Sequence, residues 1–170
     1  MLYRFLVFLS LSMLACAGIG ERIVEQATGG EVEMMEGGMD LTLPDGGTVQ
    51  LRWADKATHA PDIRLSPPEG GEIGLSGLAA IPSMPTSYFV VYSTSANPED
   101  LVAQYTGELE AMSLVPTTNT TEDGATQVKA EQGEMTHFAT IASEDDGTTS
   151  VTLGVGSIAA IEQGLQQYTD

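Results

Sequence analysis

Ser87-Tyr88-Phe89-Val90-Val91-Tyr92-Ser93, followed closely by Asn97-Pro98-Glu99-Asp100-Leu101, is the stretch that decides the fold. The first run is apolar on both faces of a period-two pattern. A strand reads that way when it has neighbours on either side and cover above and below. The second run is a helix start, with Asn97 as N-cap and Pro98 at the first helical position. Glu99 and Asp100 then face the positive end of the helix dipole. Downstream, Leu101, Tyr105, Leu109 and Met112 fall on one stripe with Val102 beside it, while Glu108 and Glu110 fall outside. That stripe reads as a core face. A central strand feeding such a helix predicts a sheet with a helix on one face.

Working outward, strands follow the helix. Residues 117–124 read as a polar loop, with a brief strand expected near Leu114. Thr126, Val128 and Ala130 then alternate with Gln127, Lys129 and Glu131. A Gln132-Gly133 turn leads into a strand over 135–142, and the acidic turn Glu144-Asp145-Asp146-Gly147 leads to Val151, Leu153 and Val155. Ile158, Ile161, Leu165 and Tyr168 mark a C-terminal helix. Upstream, Val32 and Met34, then Met39, Leu41 and Leu43, then Val49, Leu51 and Trp53 alternate with polar residues. Gly37-Gly38 and Pro44-Asp45-Gly46-Gly47 supply the turns of this meander. One of its sides is apolar and must cover something. Ile73, Leu75 and Leu78 read as an edge strand.

Runs of strands around one helix give the expected class: α+β, a mostly antiparallel sheet with one main helix packed on a face, preceded by a short N-terminal β-meander. The expected organisation is a signal peptide over 1–15, a tether or short helix over 16–30 and the meander over 31–53. A Pro/Gly-rich loop over 54–71, an α+β domain over 72–156 and a C-terminal helix over 157–170 complete it.

The chain carries 24 acidic and 6 basic residues, a net charge of −18. The cations are dispersed, which makes nucleic acid and anionic lipid headgroups poor partners. With 42% hydrophobic residues the chain has the makings of a folded core, so the acidity reads as a solvated, self-repelling surface.

The N-terminus speaks to location. Arg4 precedes an apolar run from Phe5 to Leu14, and Met13-Leu14-Ala15-Cys16 closes it with the only cysteine of the chain. The run has the layout of a secretory signal and is short for a membrane-spanning helix. Its end resembles the lipobox of bacterial lipoproteins, which implies that Cys16 is lipidated and becomes the first mature residue. An ordinary cleaved signal and an uncleaved anchor are the alternatives. A lone thiol makes no internal disulfide in an oxidising compartment, and acyl chains on it would account for its presence.

A broader resemblance rests on Pro61-Asp62-Ile63-Arg64-Leu65-Ser66-Pro67-Pro68-Glu69-Gly70, the aromatic strand, and Asn97-Pro98-Glu99-Asp100-Leu101-Val102-Ala103-Gln104-Tyr105. Together with the lipobox these segments resemble a group of small uncharacterised bacterial envelope lipoproteins. The resemblance implies a strand–strand–helix–strand–strand domain and brings no catalytic residues. The chain departs from the pattern at Ser113-Leu114, where Gly followed by Trp is usual, and at Arg64, where proline is usual.

Several motifs fail on their spacing. Gly154-Val155-Gly156-Ser157-Ile158-Ala159 fits a dinucleotide-binding turn but has no second parallel strand and no acid about twenty residues on. Gly74-Leu75-Ser76-Gly77 approaches a nucleophile elbow, with Leu78 in place of the second glycine. His59 and His137, the only histidines, read as a loop residue and a structural strand residue. Neither Glu122-Asp123-Gly124 nor Glu144-Asp145-Asp146-Gly147 has the alternate ligands of a calcium loop, and Asp45 reads as a turn residue.

The resulting expectation is a lipid-anchored cell-envelope protein without catalytic, cofactor-binding or metal residues, working as a binding or structural module. Its partners would be the membrane, through Cys16, and an envelope protein or glycan, with no nucleic acid or nucleotide. Ala17 after the cysteine favours the outer membrane in a diderm cell. The alternatives are an envelope polysaccharide hydrolase using paired carboxylates and a weak divalent-cation binder.

Overall fold

The computed structural model describes residues 29–82, 84–121 and 124–157. The expected signal peptide, Cys16, nearly all of the tether and the C-terminal helix lie outside the described residues. The elements are β1 (Glu31–Met35), β2 (Gly38–Thr42), β3 (Thr48–Trp53), a 3-10 turn (Ala54–Lys56), β4 (Glu72–Ala80) and β5 (Ser87–Thr94). After the helix α1 (Pro98–Ala111) come β6 (Thr117–Thr120), β7 (Thr126–Gln132), β8 (Met135–Ser143) and β9 (Thr149–Gly156).

All nine strands belong to one sheet, in the order β1-β2-β3-β4-β5-β9-β8-β7-β6, antiparallel throughout. This overturns the α+β expectation. The described residues are 48% strand and 13% helix, a mainly-β fold. The physical reason is one of coverage. A helix of 14 residues spans about 21 Å and lies mainly over β7 and β8, while the sheet runs on beyond it. Nor does the meander stand ahead of a separate sheet, since Arg52 of β3 pairs with Ser76 of β4 and the ladder continues unbroken.

Two further differences are local. β4 is an interior strand between β3 and β5, not an edge. Its apolar alternation is interrupted because the register shifts between Ile73 and Leu75, a bulge that throws the two side chains onto opposite faces. The edge strand β6 lies at Thr117–Thr120, within the expected loop, and all four of its residues are exposed.

The brief strand expected near Leu114 is absent, while over the aromatic strand and the helix sequence and structure agree. β5 is the middle strand of the nine. The Asn97 side chain caps α1, its Oδ1 accepting the Glu99 N–H at 2.8 Å. Leu101, Tyr105 and Leu109 are buried. The helix ends with Ser113 in the left-handed region (φ 61), the place a glycine usually takes.

The core occupies opposite faces in different parts of the sheet. On the helix side, Val90, Val128, Ala139, Ile141, Val151 and Leu153 pack with α1 and with Ile63 and Leu65 of the loop before β4. The Ser66 N–H donates to Glu108 Oε2 at 2.8 Å and fastens that loop to the helix. On the other side, Val32, Met39, Leu41 and Leu43 form a second cluster with Met34, Val49, Leu51, Trp53 and Ile81. Between the halves, Phe89 lies over Gly77 of β4 and Phe138 over Gly154 of β9, each ring where a Cβ would stand. These two glycines of the failed motifs are packing residues.

Candidate functional site

In β1–β4 the face turned toward the helix side is polar. Register places Glu33 opposite Asp40, Asp40 opposite Gln50, and Arg52 opposite Ser76. Alternation requires this, because their chain neighbours Met39, Leu41, Val49 and Leu51 point into the apolar cluster. Arg52 Nη1 donates to Asp40 Oδ1 at 2.6 Å and to the carbonyls of Leu51 (2.8 Å) and Met39 (3.2 Å). Gln50 Nε2 donates to the other Asp40 oxygen at 3.4 Å. The Thr58 N–H donates to Ser76 Oγ at 3.1 Å, closing the ledge with the loop.

Beside this ledge is a depression of about 130 Å³, lined among others by Gln50, Arg52, Thr58, Ser76 and Tyr88. Small-molecule sites run to roughly 300–1,000 Å³, so this one holds a few waters or a single polar group. The Arg52 guanidinium already has three acceptors, and the Asp40 carboxylate of the ledge has two donors. The ledge reads as a structural polar network with one open side.

The histidines are similarly committed. His59 Nδ1 lies 2.7 Å from Tyr92 Oη and Nε2 lies 2.9 Å from the Ile63 carbonyl. A carbonyl can only accept, so Nε2 carries the proton and Nδ1 accepts the Tyr92 O–H. Burial pushes the Tyr92 phenol up, which keeps that donor in place. His137 is 3% exposed, and its Nε2 lies 3.2 Å from Gln132 Oε1. Its Nδ1 is buried without a partner among the described residues. Burial, and secondarily the Arg64 charge, pushes this imidazole below its ordinary value. Among the described residues, neither ring is hydrogen-bonded to a serine or threonine hydroxyl.

The turn carboxylates hold their own turns. Asp45 Oδ1 accepts the Gly47 N–H at 2.9 Å. Asp146 Oδ1 accepts both the backbone N–H (2.9 Å) and the hydroxyl (2.6 Å) of Thr148, which hold its carboxyl below the usual range. Among the described residues, no three His, Cys, Asp or Glu side chains gather to hold a metal ion. No described helix is long and apolar enough to cross a membrane.

Cys16, the one residue singled out for a role, has no geometry here because it lies outside the described residues. The Asp40–Gln50–Arg52 ledge is not singled out by the sequence. Its only signal there is alternation with the apolar residues, which marks any outward face. The described residues thus define a class, a single antiparallel sheet with one helix and one loop on one face. Compared with known families, curated proteins and solved structures, the chain matches none.

Proposed function

We propose that the chain is an exported, lipid-anchored cell-envelope protein, held at a membrane through Cys16 and acting as a non-enzymatic binding or structural module. The observation that carries this reading is Met13-Leu14-Ala15-Cys16 at the end of an apolar run with a single early cation. Two or three acyl chains on one sulfur and one amine anchor a protein stably, at about 0.8 kcal/mol per buried methylene. The commitment of both histidines to structural hydrogen bonds supports a role in contact rather than catalysis. An envelope protein or glycan would meet the polar ledge and the strand edges. The test is the intact mass of the protein from the membrane fraction, beside a Cys16→Ala variant. Loss of residues 1–15 with an acyl mass gain, both absent in the variant, is the expected result. An unmodified chain in the soluble fraction would overturn the anchor.

A further inference from the structure

The depression beside the ledge is lined by groups whose hydrogen-bonding capacity is only partly used. All three acceptors of Arg52 lie on one nitrogen, Nη1. Its Nε and Nη2, an edge of the guanidinium suited to paired hydrogen bonds, have no partner among the described residues. Ser76 is 7% exposed, and its Oγ accepts the Thr58 N–H. The hydroxyl protons of Ser76 and Thr58 are uncommitted among the described residues. Gln50 supplies an acceptor. A carboxylate only accepts, so the Gln50 nitrogen faces Asp40 and Oε1 is left over.

We propose that this depression is a subsite for an acetamido group carried on a sugar ring, as in an N-acetylated amino sugar. Register brings the parts together. Gln50 stands opposite Leu78 and Arg52 opposite Ser76, in neighbouring rows of the same face. The complement then reads group by group. The carbonyl oxygen of the ligand accepts from Arg52, Ser76 and Thr58, and its N–H donates to Gln50 Oε1. Its methyl lies against Ala60 and Leu78, which line the same depression. At about 130 Å³ the space takes one substituent and leaves the ring at the mouth.

Anions fit less well. A carboxylate or phosphate offers Gln50 Oε1 no donor. The Arg52 charge is already met by Asp40 at 2.6 Å, and a chain at −18 repels further negative charge. Beyond the depression the row continues as Asp40 on β2 and Glu33 on β1. Those carboxylates accept from ring hydroxyls, which a sugar places beside its acetamido group. An acetylated lysine has only methylenes next to its amide and leaves them unmet. The inference rests on the reading of the chain as a binding module, of which it names the ligand class, and not on the lipid anchor.

The test titrates the full chain in detergent with triacetylchitotriose and reads the ligand by saturation-transfer NMR. One small group held at an open site binds weakly, so a Kd in the millimolar range is expected, with the acetyl methyl taking the largest share of the signal. Thr58→Val, Arg52→Gln and Gln50→Leu are each expected to raise that Kd about three- to tenfold, the worth of one hydrogen bond. Thr118→Val, on the edge strand β6, is expected to leave it unchanged. Thr58→Val decides among these, because Thr58 is exposed and its bond to Ser76 runs from the backbone. The subsite is overturned if triacetylchitotriose gives no transfer, or if Thr58→Val and Arg52→Gln bind it as the parent does. It is also overturned if cellotriose, with hydroxyls in place of the acetamido groups, binds equally well. An acetylated-lysine peptide or a galacturonic acid trisaccharide that binds at these residues when the acetylated sugar does not overturns the ligand class and leaves the binding-module reading standing. Silence from every probe overturns the subsite and takes the ledge out of that reading as well.

Discussion

The two halves of this sheet bury opposite faces. In β5–β9 the helix side is apolar, with Val90, Leu153, Ala139 and Val128 following one another across the strands at 0% exposure. In β1–β4 the same side carries Glu33, Asp40, Gln50 and Arg52, and the buried apolar side chains point the other way. The change occurs at β4 and β5, where Phe89 and Val90, on opposite faces, are both buried. The comparison teaches that alternation sorts side chains into two sets without saying which set is inside. Cover decides that, and cover comes from elements distant in sequence.

If the halves form one cooperative body, deleting core from either should destabilise both. Leu109→Ala and Leu41→Ala, at 0% and 1% exposure, are each expected to cost about 2–5 kcal/mol. Denaturant unfolding followed by Trp53 fluorescence and by circular dichroism should give one coincident transition in both variants. Separate transitions, with Leu41→Ala moving only the Trp53 signal, would divide the molecule at β4.

A smaller effect tests the seam. Gly154→Ala puts a methyl where the Phe138 ring lies and 2.9 Å from the Tyr88 carbonyl. Overpacking of this kind costs about 1–3 kcal/mol. Pairing it with Phe138→Leu should recover part of the loss, because the ring is then gone. Full additivity of the two would mean that the ring is not what the methyl meets.

Only the helix-side half buries a histidine. His137 is held below its ordinary value of 6.5, so the folded protein keeps it neutral where the unfolded chain protonates it. Between those two values the unfolded state binds more protons, and stability rises with pH. Stability is therefore full above 6.5, falls as pH drops below it, and levels off once the folded imidazole also protonates. His137→Leu is expected to flatten this part of the profile, read as midpoints between about pH 7.5 and 5.5. An unchanged slope would assign it to the carboxylates.

On the same face in the other half, Arg52→Gln is expected to cost at most about 1 kcal/mol. The pair with Asp40 is 28% exposed on one side and 31% on the other, and is screened by water. A larger loss would mark the ledge as more than an outward face.

The sequence carried the strands with alternating patterns, the central position of β5 and the Asn97 cap, because each of these is a local signal. It did not carry the class. A capped amphipathic helix is conspicuous at any size, but how much sheet it covers depends on strand order, which no local pattern records. β6 escapes a sequence reading because Thr117-Thr118-Asn119-Thr120 is an edge exposed on both faces and needs no apolar partner. β4 reads as an edge because its bulge inverts the alternation midway. The ledge is illegible for the reason the halves differ: nothing in Asp40 or Arg52 tells an outward residue from one facing the side where, several strands away, the core lies.

The smallest effect concerns the deepest polar group. The Tyr105 hydroxyl is fully buried and has no hydrogen-bond partner among the described residues. Burial first, then Glu108 and Tyr92, push its phenol up, so it stays protonated beyond the pH at which an ordinary phenol ionises. An unpaired buried hydroxyl is desolvated without return, so Tyr105→Phe keeps the ring packing and removes a penalty. The expected change is neutral to stabilising, within about 1 kcal/mol, against the usual cost of altering a core residue. Tyr105 belongs with Ile63 and Leu65 to the apolar core of the helix-side half. A loss above about 1 kcal/mol would mean that the hydroxyl has a partner after all, a buried water bridging toward Glu108 or Tyr92. That core would then hold a polar network of its own, and the contrast with the ledge would narrow.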